Sequence, residues 1–480
     1  MQADLAKTIS YLLPELVIVA GILFLLAWGL ISPRGSSPWL SYIVLGILIA
    51  TLVMLILYKP ELDGGALILD GPFPVVFRIM IVFAAALIVF LSHDYLPRQE
   101  ILPMEYYLLI LLSTLGMMFT AAASHLLIFF LGIELMGLSF YIMVAMIPES
   151  LRSKEAAIKY LIYGLLASGI MLFGMSIIYG IWGSWDVVEI GRLAAGAPGA
   201  AGALALALLL TGIGFKIGLA PFHMWVPDVF DGSPAPVAAF LSVGPKIATF
   251  AAGSAILLKA FPDLSVVWIP FLGGMAVLSM IWGNLAALAQ NSLKRMIAYS
   301  SIAHVGYIAI GLLAATRRPS EGLIGVSFYL FTYMFANIGL FALIVWMEEK
   351  GGEGPTLDDV AGLGRRRPAL ALAFTLFLVA LAGIPPTSGF MAKFWVFMAA
   401  VRAKMVGLAI VGVLTSAVAV FYYVRVVYYF FMKEPATEGV KGASSLNIGL
   451  YVVLLAALTT IWFGIWPEHL LNFVQQARLP

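Results

Sequence analysis

Five ionisable residues, Glu134, Lys216, Lys246, His304 and Lys393, lie within long apolar runs of this 480-residue chain. A lysine at the centre of a membrane helix costs about 2.5–3.5 kcal/mol on insertion scales, so charges in such places point to ion or proton handling rather than packing. The densest stretch is TGIGFKIGLAPFHMWVPDVFDGSPAPVAAFLSVGPKIATF, from Thr211 to Phe250, which holds both Lys216 and Lys246. Pro221, Pro227, Pro234, Pro236 and Pro245 interrupt it, and each proline removes a helix hydrogen-bond donor.

The residue types suit proton transfer. Glu134, in FFLGIELMGLSFY, reads as the acidic residue set well inside a helix. A carboxylate there must be paired, solvated or protonated, and Lys216 is its expected partner. Lys246 follows Pro245 directly, so a carbonyl or a water freed from the helix ladder can meet its ammonium. Lysine, unlike arginine, can release a proton near neutral pH, which favours transfer over a fixed charge at 216, 246 and 393. His304, in KRMIAYSSIAHVGYIAI, has Tyr299, Ser300, Ser301 and Tyr307 near it in sequence. It reads either as a proton carrier or as a satisfied polar residue. His223 and Asp228 belong either to a loop or to the mouth of a pathway. Arg425 either snorkels or pairs, within an aromatic run, FYYVRVVYYFFM, that otherwise reads as interface and packing residues. The runs EEKGGEGPTLDD (348–359) and RRR (365–367) read as a solvated cytoplasmic loop or a docking surface.

The elements that position these residues are membrane helices. Hydrophobic residues make up 62% of the chain and charged residues 11%, against about 25% charged in soluble domains. The net charge of +2 gives no basis for a nucleic-acid partner, and the absence of cysteine excludes disulfides, thiolate metal sites and iron–sulfur ligation. With about 20 apolar residues per crossing, helices are expected near 11–30, 39–58, 74–92, 104–121, 124–146, 156–182 and 201–220. Others are expected near 235–258, 266–288, 293–314, 322–347, 369–402, 406–432 and 447–466, about 14 in all. The N-terminal apolar run reads as a retained helix, not a cleaved leader.

Residues 369–402 would span about 51 Å as one helix, against a hydrocarbon core of about 30 Å. Pro385 and Pro386, in LAGIPPTSGFMAKF, break it and leave Lys393 near the break. The stretch around Lys216 and Pro221 has the same form. The expected fold is therefore an all-α polytopic membrane protein with two inverted five-helix repeats, each containing a broken helix. The divisions are 1–100, three N-terminal helices; 101–260, the first repeat; 261–433, the second; and 434–480, a C-terminal helix. Lysines and arginines favour the loops after odd-numbered helices, most heavily at Arg365 to Arg367. Those loops are expected in the cytoplasm and both termini outside.

No nucleotide-binding, metal-ligand or nucleophile motif is present, so transport must be driven by an ion gradient or by a partner's chemistry. Four segments, LGIELMGLSFY, GFKIGLAPFHMWVPDVFDGSPAPVAAFLSVGPKIA, NLAALAQNSLKRMIAYSSIAHVGYIAIG and LAGIPPTSGFMAKFWVF, resemble the antiporter-like membrane subunits of proton-pumping NADH:quinone oxidoreductase, respiratory complex I. They cover about residues 125–400, and the N subunit is the most similar type. The resemblance implies that Glu134 is the fifth-helix glutamate, Lys216 the pump lysine, Lys246 the connecting lysine, His304 a polar-axis residue and Lys393 the terminal residue of a proton path. It implies a translocase subunit without a redox centre of its own. NADH, FMN, iron–sulfur clusters and quinone would belong to partner subunits. The neighbours implied are an antiporter-like M subunit, small K-type subunits and the lipid bilayer. The alternatives are a subunit of a gradient-driven multisubunit sodium/proton antiporter, or a scaffold that no longer moves protons.

Overall fold

A computed structural model of the protein describes residues 11–31, 39–57, 68–69, 71–194, 199–348, 350–351, 353–434 and 449–475. Both chain ends, and with them the expected outward termini, lie outside the described residues. The first three long helices are α1 (Leu13–Ile31), α2 (Leu40–Leu57) and α3 (Pro72–His93), followed by the short α4 (Tyr95–Gln99). Next come α5 (Pro103–Ala122), α6 (Leu126–Val144), α7 (Leu151–Trp182), the short α8 (Val187–Leu193), α9 (Gly199–Ile217), α10 (Trp225–Gly232) and α11 (Ala235–Ala255), whose last turn, Ile256–Ala260, widens to a π-helix. The remainder comprises α12 (Ser265–Leu288), α13 (Leu293–Ala315), α14 (Pro319–Met347), α15 (Leu363–Arg366), α16 (Pro368–Ala382), α17 (Ser388–Arg402), α18 (Val406–Phe431), α19 (Gly449–Ile465) and α20 (Glu468–Val474). Among the described residues the β-structure consists of isolated bridges.

In the described residues 12 helices are long and apolar enough to cross a membrane, or 13 when α19 and α20 are taken as one bent crossing. The halves α16 and α17 supply one more. The two expected breaks are present, between Ile217 and Trp225 and between Ala382 and Ser388. The bend of 95° between α19 and α20 is a further break that sequence did not announce.

Contacts between loops fix the alternation of the crossings. Ile68 bridges Ala123, and His125 bridges Asp186, on the face from which α1 starts, here the near face. On the far face Ser292 bridges Thr356, and the Lys350 ammonium is 2.5 Å from Glu100. Each pairing joins loops separated by an even number of crossings. The first broken helix therefore runs from near to far and the second from far to near, an inverted pair.

Helices α11, α13 and α14 are buried almost throughout, whereas α1, α2, α7 and α18 keep broad apolar faces outward. A helix that is apolar all round belongs in this setting, where lipid replaces water on the outer side. Without a hydrophobic drive between helices in lipid, close packing relies on small residues. At the α5 and α6 crossing a Cβ on Gly116 would come within 2.6 Å of the Met136 backbone nitrogen, so only glycine permits that approach.

Candidate functional site

Glu134 and Lys216 meet between α6, α7 and α9. The ammonium lies 3.9 Å from Glu134 Oε1, and the side chains are 2% and 19% exposed for lysine and glutamate. Lys216 also donates to the Tyr141 hydroxyl at 3.4 Å, and the Ser168 hydroxyl donates to Glu134 Oε1. One stripe of α7, Tyr160, Gly164 and Ser168, faces one stripe of α6, Tyr141, Gly137 and Glu134. Both follow the three-and-four spacing that places residues on one helical face. A Cβ on Gly164 would lie 1.9 Å from the Tyr141 hydroxyl, and one on Gly137 would lie 2.7 Å from the Lys216 Nζ. The two glycines thus make room for the polar ends. Gly164→Ala is expected to displace the Tyr141 hydroxyl and destabilise the subunit by about 1–3 kcal/mol, the usual range for overpacking. The check is the thermal midpoint of the purified assembly, and an unchanged midpoint would show that the hydroxyl is not confined.

Lys246, on α11, is 3% exposed and has no ion-pair partner among the described residues. Its Nζ donates to the Ser242 carbonyl at 2.7 Å and to the Ser301 hydroxyl. The rings of Phe230 and Tyr333 lie beside it, with centroids at 6.0 and 5.4 Å, a cation–π setting. The carbonyl used is that of Ser242, not that of Leu241, which is the one Pro245 leaves without its helix donor.

His304 sits one turn beyond Ser300 and Ser301 on α13. Its Nδ1 is 2.7 Å from the Tyr329 hydroxyl and its Nε2 is 3.2 Å from the Tyr423 hydroxyl, which also bonds Ser300. Tyr307 presents its ring to His304 on one side, at 5.8 Å, and to the Lys393 ammonium on the other, at 5.1 Å. Lys393 projects from α17 back across the break. It donates to the carbonyls of Leu381 and Ala382 at 3.0 and 2.9 Å and to Ser416 at 2.8 Å. Those carbonyls end α16, where helix carbonyls have no partner of their own and the helix dipole is negative. Gly383, at φ +82°, turns the chain there in the left-handed conformation.

Lys246, His304 and Lys393 thus lie along one line of hydroxyls and rings in the second half of the chain. Glu134 and Lys216 form a separate pair: the groups bonded to Lys216 and those bonded to Lys246 have no residue in common. His223 lies in the first break and is buried, 6% exposed. Asp228 is on the far face, 2.8 Å from Arg295 and 3.0 Å from Lys159. The Arg425 guanidinium donates to the carbonyls of Leu288 and Gln290, and among the described residues it pairs with no carboxylate.

Two sequence readings need correction, and one buried pair was not anticipated. Glu348, read as the start of a solvated loop, is 3% exposed. It pairs with Lys294 and accepts from the Tyr95 hydroxyl at 2.6 Å and the Ala235 backbone N–H at 3.1 Å. Burial, and next the Glu348 charge, push the Tyr95 hydroxyl well above its usual range, so it stays a donor. The pair not anticipated is that of Glu15, buried at the helix end in the first turn of α1, with its Oε1 2.8 Å from Arg78. Arg78, in the apolar run PFPVVFRIMIVF, was a visible signal for that pair. Lastly, Tyr422 and Tyr423 are more than packing residues, since Tyr422 donates to Asn284 at 3.1 Å and Tyr423 meets His304.

Among the described residues no group of three or more His, Cys, Asp or Glu side chains could hold a metal ion. Residues 123–419 match the family model described as NADH:quinone oxidoreductase/Mrp antiporter, TM. The NADH-quinone oxidoreductase subunit N of Trichlorobacter lovleyi is 41% identical over 483 aligned positions, covering 99% of this chain and 98% of the relative. A chain of respiratory complex I from Thermus thermophilus, solved with bound aureothin, is 32% identical with a TM-score of 0.80, covering 96% of this chain and 98% of that one. A chain of the Mrp complex from Dietzia sp. is 23% identical with a TM-score of 0.81, covering 97% of this chain and 96% of its own, a likeness of fold alone.

Proposed function

Because this chain belongs to the NADH:quinone oxidoreductase/Mrp antiporter transmembrane family, we propose that it is a membrane-arm subunit of a redox-driven proton pump, translocating protons while partner subunits reduce quinone. The observation that carries the reading is the line from Lys246 through Ser301, His304 and Tyr307 to Lys393: two buried ammonium groups with no carboxylate partner among the described residues, Lys246 bonded to the Ser301 hydroxyl and Lys393 set against the Tyr307 ring that His304 also touches. A buried ammonium that is only hydrogen-bonded is far easier to deprotonate than one in a tight ion pair, which suits a carrier.

In this reading quinone reduction changes the charge next to the first pair. Glu134 and Lys216 separate, and the displaced proton passes by way of Lys246 towards Lys393. NADH, FMN, iron–sulfur clusters and quinone are held by partner subunits, an M-type antiporter-like subunit and small K-type subunits pack alongside, and the assembly sits in a bacterial inner membrane with both termini outside. The repeats are taken as 101–260 and 261–433, flanked by 1–100 and 434–480.

The near full-length identity to an NADH-quinone oxidoreductase subunit favours this over a sodium/proton antiporter, for which the support is a likeness of fold. Proteoliposomes holding the whole complex decide between them. NADH with a soluble quinone should acidify the lumen, with or without sodium. Sodium-for-proton exchange that needs no NADH, with no acidification on NADH oxidation, would establish the antiporter instead.

A further inference from the structure

We propose that Tyr160, held between Tyr141 and Trp225, is a positioning residue that keeps Lys216 out of contact with the far face of the membrane. Three layers lead inward from that face. The outermost is a cluster of charges: partly exposed Asp228 with Arg295 and Lys159, and buried Asp231 with Arg152 and, at 3.6 Å, Arg295. One turn deeper on α10, three residues before Asp228, the Trp225 indole stacks on the Tyr160 ring at 4.5 Å and 17°. Tyr160 in turn meets the Tyr141 ring edge-on at 4.6 Å. Trp225 Nε1 donates to the Phe215 carbonyl at 3.0 Å, which ties the indole to the residue before Lys216. All three rings are at most 5% exposed. Innermost is Lys216, on the Tyr141 hydroxyl.

The rings fill the space between a water-accessible ion-pair layer and a buried ammonium that would otherwise exchange protons with it. An apolar layer this thick excludes the water chain a proton needs. Lys216 therefore communicates with the far face only when Tyr160 or Trp225 moves. Trp225 opens the second half of a broken helix, joined to α9 through a seven-residue break. The proposal rests on Lys216 carrying protons, and it assigns Tyr160 a role in directing them rather than in binding one.

The test uses proteoliposomes of the whole complex with an imposed pH gradient and neither NADH nor quinone present. Tyr160→Ala is expected to raise the passive proton leak several-fold over the native complex at equal subunit content. Tyr160→Phe, which keeps the ring, is expected to leak as the native complex does. A native-level leak in assembled Tyr160→Ala would overturn the proposal. If that variant does not assemble, Trp225→Leu replaces it with the same expected rise, and a native-level leak there overturns the proposal equally. Because the leak is read with redox chemistry idle, it is separate from the functional reading, which fails instead if the native complex oxidises NADH without acidifying the lumen.

Discussion

Replacing Lys246 with alanine is expected to lower NADH-driven proton translocation about tenfold or more while the complex still assembles. Lys246 is the ionisable side chain at the head of the line that continues through Ser301 and His304. Alanine leaves hydroxyls and a carbonyl there, none of which holds an excess proton at neutral pH. A rise of only about 1.4 kcal/mol in the barrier to transfer already gives a tenfold loss. Stability should change little, because the deletion removes an unpaired buried charge and leaves no opposite charge uncompensated. The measurement is lumen acidification per NADH oxidised in proteoliposomes. Native coupling in an assembled Lys246→Ala complex would remove Lys246 from the path.

The largest effect on stability is expected at the far face. Glu348→Ala would take the Glu348 carboxylate from the fully buried Lys294 ammonium, and would take from the Tyr95 hydroxyl and the Ala235 N–H a common acceptor. Breaking a buried pair by removing one partner destabilises by about 3–5 kcal/mol. The pair joins the start of α13 to the end of α14, and through Ala235 it anchors the first turn of α11, the helix of Lys246. The expected result is a strong fall in assembled subunit and in its thermal midpoint. The charge-free double variant Lys294→Met with Glu348→Leu should recover most of the loss. If the single variant matches the native midpoint, the pair does not hold these helices together.

The crossings, two of the three breaks and the placement of Glu134, Lys216, Lys246, His304 and Lys393 inside membrane helices were legible in the sequence. Each depends on local properties: the length of an apolar run against the thickness of a bilayer, the prolines within it, and a charge where none is tolerated without cause. Of the two partners of Glu134, Lys216 was legible, as the buried opposite charge that a carboxylate in a membrane helix requires. Ser168 was not, because nothing in its own helix singles out one serine among many.

Glu348 shows the opposite limit. Its run of charges and glycines has the composition of a loop, and most of that run is one. Its burial comes from Tyr95, 253 residues away, and Lys294, 54 residues away, and no local pattern encodes such a pairing. By itself the sequence determined which residues carry charge into the membrane and where the helices break, because bilayer thickness and proline geometry act on short stretches of chain. Only the tertiary structure decided what each charge meets: a serine and a tyrosine for Glu134 and Lys216, helix-end carbonyls for Lys393, and a plug of three rings between Lys216 and the far face. Those partners come from helices far apart in sequence, and packing alone brings them together.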